Sequence, residues 1–320
     1  MKNKIKLIEN VAEDLEGFLS DCCICPRACH VNRKDGKKGY CKAGVCLVVY
    51  TAFLHRGEEP AISGDTGSGT IFFSGCNLAC VYCQNYKFSH SIEGSAMTPA
   101  QVCDLMLKLQ EEGASNINLV TPTHFLPQIL NALTMAFPKG LNIPIVYNTS
   151  GYEKKDIIRK LDGIVDVYLT DFRYFYDATG AKYSNAKDYP FHAKESISEM
   201  YRQKSKPVFK DELLKEGLVI RHLILPGHIE ESKQVLSWIK QNIPGAFLSL
   251  MFQYQPYHKA NKYPVLNRTV SKEEYIEVNK FLKELDLDGW VQDLIPEEKL
   301  AGVHFNETTT FQAGRRRKGV

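Results

Sequence analysis

The sequence predicts an α/β fold: a partial (β/α)6 TIM-like barrel carrying an N-terminal Cys-rich metal-binding extension. Three observations predict it. From Thr70 onward, short apolar runs alternate with amphipathic helical patterns, as expected for a parallel sheet with helices outside. Polar residues gather at the C-terminal ends of those runs, where barrels of this kind keep their chemistry. Nine of the ten cysteines fall between Cys22 and Cys83, and only Cys103 lies beyond, in a helical pattern that reads as core.

Taken in order, residues 1–20 read as an amphipathic helix. Residues 22–44 are rich in Cys, Gly and Lys, with too few apolar side chains to pack unaided, so this knob needs a metal staple. The barrel opens with the strand TIFFSG at Thr70. A helix at 99–112, a strand at 116–121, a helix at 125–136 and a strand at 143–149 follow. A helix from Glu153, strands at 165–171 and 218–225, a helix at 230–241, a strand at 247–254 and a helix at 272–285 complete the count. The chain thus divides into an extension (1–68), a barrel (69–290) and a C-terminal extension with a basic tail (291–320). Residues 173–190, rich in Tyr, Asp and Ala, read as a long functional loop or lid.

Composition narrows the function classes. With 40 Lys+Arg against 37 Asp+Glu, net charge +3 and 44% hydrophobic residues, the chain is globular and carries no charge excess that predicts a nucleic-acid or membrane partner. The basic run 315–318 is read as a solvated tail. No apolar run approaches the ~20 residues that span a bilayer, and the first residues alternate charge with apolar groups, so a cytoplasmic location is expected. In that reducing compartment, crowded cysteines point to metal rather than to disulfides.

SGCNLACVYCQN places Cys76, Cys80 and Cys83 as C-x3-C-x2-C just after the first barrel strand. Three thiolates on one short loop can wrap a cubic [4Fe–4S] cluster and leave its fourth iron open to a small molecule. Zinc, the alternative, prefers four ligands in pairs, and the nearest histidine, His90, lies seven residues past Cys83.

At these residues the sequence resembles the radical S-adenosylmethionine superfamily, and within it an uncharacterised branch related to pyruvate formate-lyase activating enzymes. The likeness runs through CCICPRAC, GEEPAISG, GSGTIFFSGCNLACVYCQN, INLVTPTHF, YNTSGY and RHLILPG. It implies a [4Fe–4S] cluster on Cys76, Cys80 and Cys83 with S-adenosylmethionine on the fourth iron. One electron, from a donor of flavodoxin or ferredoxin type, then cleaves the sulfonium to methionine and a 5′-deoxyadenosyl radical that abstracts hydrogen from a substrate. By the same resemblance Asn148, Thr149, Ser150 and Asp171 line the site beside the methionine part. Arg173 stands in for a lysine contacting it, and His258 matches a histidine near its carboxylate. Thr121 and Thr123 stand where the superfamily has G-G-E, and their hydroxyls can accept a hydrogen bond from the methionine amino group. His124 beside them reads either as a substrate-facing residue or as a satisfied structural histidine.

Cys22, Cys25, Cys29 and Cys41 form C-x2-C-x3-C-x11-C, which suits a second Fe–S cluster, while Cys22, Cys25, Cys41 and Cys46 approach a zinc-ribbon spacing. Spacing leaves both open; the resemblance favours the first set. The function expected is hydrogen abstraction by a radical enzyme. Its substrate is a glycyl-radical protein partner in one version and a small molecule or peptide in another. A non-catalytic Fe–S or zinc scaffold or electron carrier is the reading from a different class.

Overall fold

The structure, a computed structural model, describes residues 2–294 and the pair 316–317. Helix α1 (Lys2–Glu16) leads into the cysteine knob, and strand β1 (Leu47–His55), helix α2 (Pro60–Ser63) and strand β2 (Ser68–Phe73) follow. After the cysteine loop come α3 (Tyr86–Ser89), β3 (Ser95–Met97), α4 (Pro99–Glu111), β4 (Ile117–Val120), α5 (Leu126–Ala136), β5 (Ile145–Thr149), α6 (Lys155–Lys160) and β6 (Val167–Asp171). The chain continues through α7 (Asp177–Ser184), α8 (Tyr189–Lys204), β7 (Val208–Lys210), β8 (Leu213–Leu223), α9 (Ile229–Asn242), β9 (Phe247–Met251), α10 (Lys272–Leu285), β10 (Gly289–Val291) and β11 (Arg316–Arg317).

One sheet runs β11-β10-β9-β8-β6-β5-β4-β2-β1-β3, with β7 paired to β8. From β2 to β10 every neighbouring pair is parallel, whereas β1, β3 and β11 add antiparallel edges. This is the mixed α/β, largely parallel architecture the alternation predicts, opened rather than closed. Its parallel part has a seventh strand, β10, beyond the six expected.

Alternation along each strand decides what faces the barrel interior. Val146 of β5, Val167 and Leu169 of β6, Val219 of β8, Phe247 of β9 and Trp290 of β10 pack inside against Ala61 and Ile62 of α2. The next interior layer toward the strand C-termini is polar: Asn148, Asp171 and Arg221 stand at ladder positions of β5, β6 and β8. The intervening residues, such as Tyr147 and Tyr168, pack outward into the helical layer. Local signals set the helix starts: Thr98 and Ser271 close capping boxes with Gln101 and Glu274 at the heads of α4 and α10.

Two regions differ from the sequence reading. Strand β1 lies within the expected extension yet pairs antiparallel with β2, and no βα alternation announces it. Residues 173–190 are no free lid: they fold as α7 and the start of α8, and α7 clamps the cysteine loop through Ala79 N–H to Ser184 O (3.2 Å) and Val81 N–H to Tyr183 O (2.8 Å). Of the basic run, only the backbone of Arg316–Arg317 is described, paired with β10; Arg315 and Lys318 lie outside the described residues, as does most of the C-terminal extension.

Candidate active site and cysteine centres

The C-terminal strand ends enclose a cavity of ≈ 240 Å³. Tyr82, Cys83, Gln84 and Asn85 of the cysteine loop form one wall, joined by Thr121, Asn148, Thr149, Ser150, Asp171 and Arg173. His55, Glu58, Arg221, Leu223, Met251 and Gln292 form much of the rest. Seven of the residues singled out from the sequence beyond the first two cysteines are therefore brought to one cavity: Cys83, Thr121, Asn148, Thr149, Ser150, Asp171 and Arg173.

The cysteine loop is fixed from both sides. Cys80 is buried, and its Sγ accepts hydrogen bonds from Arg173 Nη1 (2.8 Å) and from Ser184 Oγ (2.9 Å). Arg173 Nε in turn donates to Asp171 Oδ2 at 2.9 Å, so a guanidinium joins the fourth barrel strand expected from the sequence to the middle cysteine. A hydroxyl chain extends this contact, with Tyr82 OH 2.5 Å from Tyr174 OH and Tyr174 OH 2.6 Å from Ser184 Oγ. Leu78 N–H donates to Cys76 Sγ at 3.4 Å, and Cys83 Sγ lies 3.2 Å from Ser89 Oγ. Burial pushes the Cys83 thiol up to about 11 and raises Cys76 as well, with the neighbouring Cys80 adding to both. Metal binding at this loop therefore has to displace protons.

Glycines permit the loop's close approaches. At Gly75 (φ +83°) a Cβ would meet the Cys41 carbonyl oxygen at 2.5 Å, which seats the N-terminal knob directly against the residue before Cys76. At Gly151 (φ +78°) a Cβ would lie 2.2 Å from the Asp171 carbonyl oxygen, so the β5 loop can press onto the end of β6.

Sequence reasoning missed two buried polar groups. Glu153 is fully buried; its Oε1 accepts from Thr123 Oγ1 (2.5 Å), Thr149 Oγ1 and Tyr147 OH (3.5 Å), and Oε2 has no partner among the described residues. Burial, only partly offset by those hydroxyls, pushes its carboxyl up to about 7. On the far wall, Arg221 Nε donates to Glu59 Oε1 at 2.7 Å, Arg221 Nη2 also bonds Glu58, and Asn118 Nδ2 donates to Glu58 Oε1 at 2.9 Å. Burial alone would raise Glu58, but the Arg221 guanidinium, with His55 3.4 Å away, holds it well below the usual carboxylate range. GEEPAISG and RHLILPG carried these residues in the sequence, but their pairing spans some 160 positions and no local spacing announces it.

Three expected site residues lie elsewhere. Thr123 is buried behind the cavity wall on Glu153. His124 is buried with Nε2 2.7 Å from the Ser74 carbonyl, and burial lowers its pKa to about 4; it is the satisfied structural histidine, not a cavity residue. His258 sits at the rim, stacked on Tyr86 and 3.2 Å from His90 Nδ1, outside the cavity lining.

In the knob, burial raises both Cys25 and Cys41; Cys41 and Cys22 add to the rise at Cys25, and Cys22 and Cys29 add to that at Cys41. Burial pushes Cys25 up to about 12. Cys29 Sγ accepts from Tyr40 N–H at 3.3 Å, while Cys46 is exposed. Two arginines bolt the knob to the barrel. Arg33, 1% exposed, donates from Nη1 to the His124 carbonyl at 2.7 Å and from Nε to the Gly44 carbonyl at 2.9 Å. Arg27 donates to the Asn77 carbonyl at 2.8 Å and stacks 3.8 Å from the Tyr40 ring centroid.

Among the described residues, no three His, Cys, Asp or Glu side chains converge closely enough to grip a single metal ion. A tetrahedral zinc with Zn–S bonds of ~2.3 Å needs sulfurs about 3.8 Å apart. Three thiol donors on one loop match the ligand count of a cubic iron–sulfur cluster with one open iron, where zinc would need a fourth donor.

A family model described as the Radical SAM superfamily matches residues 70–239. An uncharacterised protein of Methanocaldococcus jannaschii is 31% identical over 298 residues, 89% of this chain and 81% of the relative. A second uncharacterised protein of the same organism is 25% identical over 167 residues, 47% of this chain and 48% of that relative. The matched span starts at β2, contains the cysteine loop and ends in α9, and with it the chain belongs to the radical SAM superfamily, whose enzymes use a [4Fe–4S] cluster and S-adenosylmethionine.

Proposed function

We propose that Cys76, Cys80 and Cys83 hold the [4Fe–4S] cluster and that the adjoining cavity receives S-adenosylmethionine and a substrate. When bound, this pair supplies one-electron cleavage of the sulfonium to methionine and a 5′-deoxyadenosyl radical that takes a hydrogen atom from the substrate. The observation that carries the reading is the convergence of the cysteine loop with Asn148, Thr149, Ser150, Asp171 and Arg173 on one cavity.

The chain's own residues divide the remaining work. Arg173 and Ser184 donate to the Cys80 sulfur, which favours the thiolate and the reduced state of whatever it ligates. Asp171 holds the Arg173 guanidinium in place. Glu153 anchors Thr149, so the β5 loop presents Asn148 and Ser150 in a fixed arrangement. Tyr82 and Tyr254, in edge contact 5.8 Å apart, form an apolar shoulder that limits water around the loop.

For the knob we propose a second Fe–S cluster on Cys22, Cys25, Cys29 and Cys41, supported by the proximity of Cys22 and Cys41 to Cys25 and of Cys22 and Cys29 to Cys41, and by the exposure of Cys46. Iron and sulfide analysis tests both assignments. Wild type should carry about eight irons, two clusters' worth, and replacing the Cys76, Cys80 and Cys83 trio by Ala should remove half. Cys29→Ala should lower the knob's share whereas Cys46→Ala should not. Zinc in place of knob iron would contradict the second assignment alone.

As substrate we favour a glycyl-radical protein, a reading supported by residues 173–190, which fold against the cysteine loop and contribute Arg173 alone to the cavity lining. Incubation with a glycyl-radical protein should then give a glycine-radical signal in that protein; hydrogen loss from a small molecule instead would favour the second reading.

A further inference from the structure

The far wall of the cavity carries charge that the chemistry at the cysteine loop does not use. Glu58, Asp171, Arg173 and Arg221 line the cavity, and Glu59 stands behind them on Arg221. Asp171 and Arg173 pair with each other at 2.5 Å and cancel. Arg221 is left to answer two buried carboxylates, bonding Glu58 through Nη2 and Glu59 through Nε at 2.7 Å and Nη2 at 2.6 Å. Burial alone would raise Glu58, but Arg221 and His55 hold it well below the usual carboxylate range, so its charge persists at neutral pH. With histidine counted as neutral, two cations face three carboxylates and the wall keeps an excess negative charge.

The polar groups around that excess lack donors. Asn118 is fully buried and faces the interior with its ladder partner Val146. Its Nδ2 donates to Glu58 Oε1 at 2.9 Å, while its Oδ1 has no partner among the described residues. Ser249 pairs with Arg221 in the sheet and lies in phase with the interior Phe247 and the cavity-lining Met251. Its Oγ is likewise buried without a partner among the described residues. Gln292, just after β10, lines the cavity, and its buried Oε1 is a third such atom. Buried acceptors left unmade are costly, so three beside one uncancelled charge mark a place where another molecule brings the donors. Water supplies donors alone, whereas a nitrogen cation supplies donors and charge together.

We infer that this wall binds a positively charged nitrogen group of the substrate, an ammonium or a guanidinium, with Glu58 and Gln292 as specificity-determining residues. This rests on the proposed reading that the cavity receives S-adenosylmethionine together with a substrate. The methionine part is assigned beside Asn148, Thr149 and Ser150, so the cation here belongs to the molecule that gives up hydrogen. An anionic group would meet two carboxylates, and a neutral one would leave their excess charge buried. A side chain of a partner protein and a small amine present the same chemistry to this wall.

The test is anaerobic calorimetric titration of the reconstituted protein at fixed ionic strength with n-butylammonium, beside n-butanol and butyrate as neutral and anionic counterparts. The ammonium should bind at least about tenfold tighter than the alcohol, the scale of one hydrogen bond to a charged group, and butyrate should bind more weakly than either. Glu58→Gln removes the excess charge while Glu59 still answers Arg221, and the Asn118 amide can turn its Oδ1 toward the new Nε2; most of the preference should vanish. Gln292→Leu removes an acceptor that has no partner among the described residues, so it keeps the test decisive if Glu58→Gln does not fold. It should weaken the ammonium severalfold and leave the alcohol unchanged. Tighter binding of butanol or butyrate, or an ammonium preference kept in full by either variant, overturns the inference. A glycine peptide bearing one Lys, beside its norleucine analogue, separates the sources: a preference for the Lys peptide assigns the cation to a protein substrate, and none, with butylammonium still bound, assigns it to a small amine. Formation of 5′-deoxyadenosine without any ammonium preference would sink this inference alone, whereas ammonium binding by an iron-loaded protein that forms no nucleoside would sink the reading beneath it.

Discussion

Replacing Glu153 by Gln should remove a pH dependence of stability that the wild type carries. Glu153 is fully buried and its carboxyl is pushed from the usual glutamate value up to about 7. The folded state therefore holds this proton more tightly than the unfolded chain, where a glutamate titrates near 4.3. Its stabilising share is fully present below about pH 4.3 and is lost as pH rises through about 7. At ~1.4 kcal/mol per pKa unit the loss across that window is about 4 kcal/mol. Gln preserves the oxygen that accepts from Thr123, Thr149 and Tyr147 but cannot ionise. Urea denaturation of both proteins under anaerobic, reducing conditions from pH 4.5 to pH 8 reads the difference, and the histidines that titrate in the same range cancel because both proteins share them. The variant should match wild type at the acid end and exceed it by up to about 4 kcal/mol at pH 8. Parallel curves, differing by a constant at every pH, would refute the reasoning and show that Glu153 is not ionising in a buried site.

Three further outcomes follow from the same geometry. Arg221→Met should cost about 3–5 kcal/mol by leaving Glu58 and Glu59 buried without a counter-charge, and the deficit should shrink as pH falls and the carboxylates protonate; chemical denaturation at two pH values checks it. Gly75→Ala should drive a methyl into the Cys41 carbonyl at a backbone angle that disfavours any side chain, loosening the knob so that limited proteolysis cuts faster between residues 22 and 46. Ser184→Ala should remove one of two donors to Cys80 and make the cluster harder to reduce, by less than the about 59 mV that marks a tenfold change for one electron, measured by an EPR-monitored redox titration.

What the sequence made legible was whatever obeys a short period or a short spacing. Parallel strands appear as apolar runs, and the polar residues that end β5 and β6 appear where those runs stop, which is why Asn148, Asp171 and Arg173 could be placed at one mouth. C-x3-C-x2-C is legible for the same reason, because one loop supplies it. Contacts that close over long separations were not legible: Arg221 meets Glu58 and Glu59 from opposite ends of the barrel, and Arg33 of the knob reaches the His124 carbonyl. Glu153 was hidden for another reason, since a glutamate in a polar loop reads as solvated until three hydroxyls are seen converging on it. Residues 173–190 looked like a lid because Tyr and Asp crowd there; instead Tyr174 and Tyr183 are buried against the cysteine loop and Ser184 bonds Cys80. His124 and His258 stood near strand ends in the sequence, but a one-residue change of facing puts a side chain behind a barrel wall or out on its rim.

The measurement that bears most directly on the central claim is 5′-deoxyadenosine formation by the anaerobically reconstituted protein after dithionite reduction with S-adenosylmethionine, run beside Cys80→Ala. The account predicts the nucleoside in wild type and its loss in the variant, whose knob cysteines remain intact. A fully iron-loaded wild type that forms none, or a Cys80→Ala variant that forms as much, would contradict it.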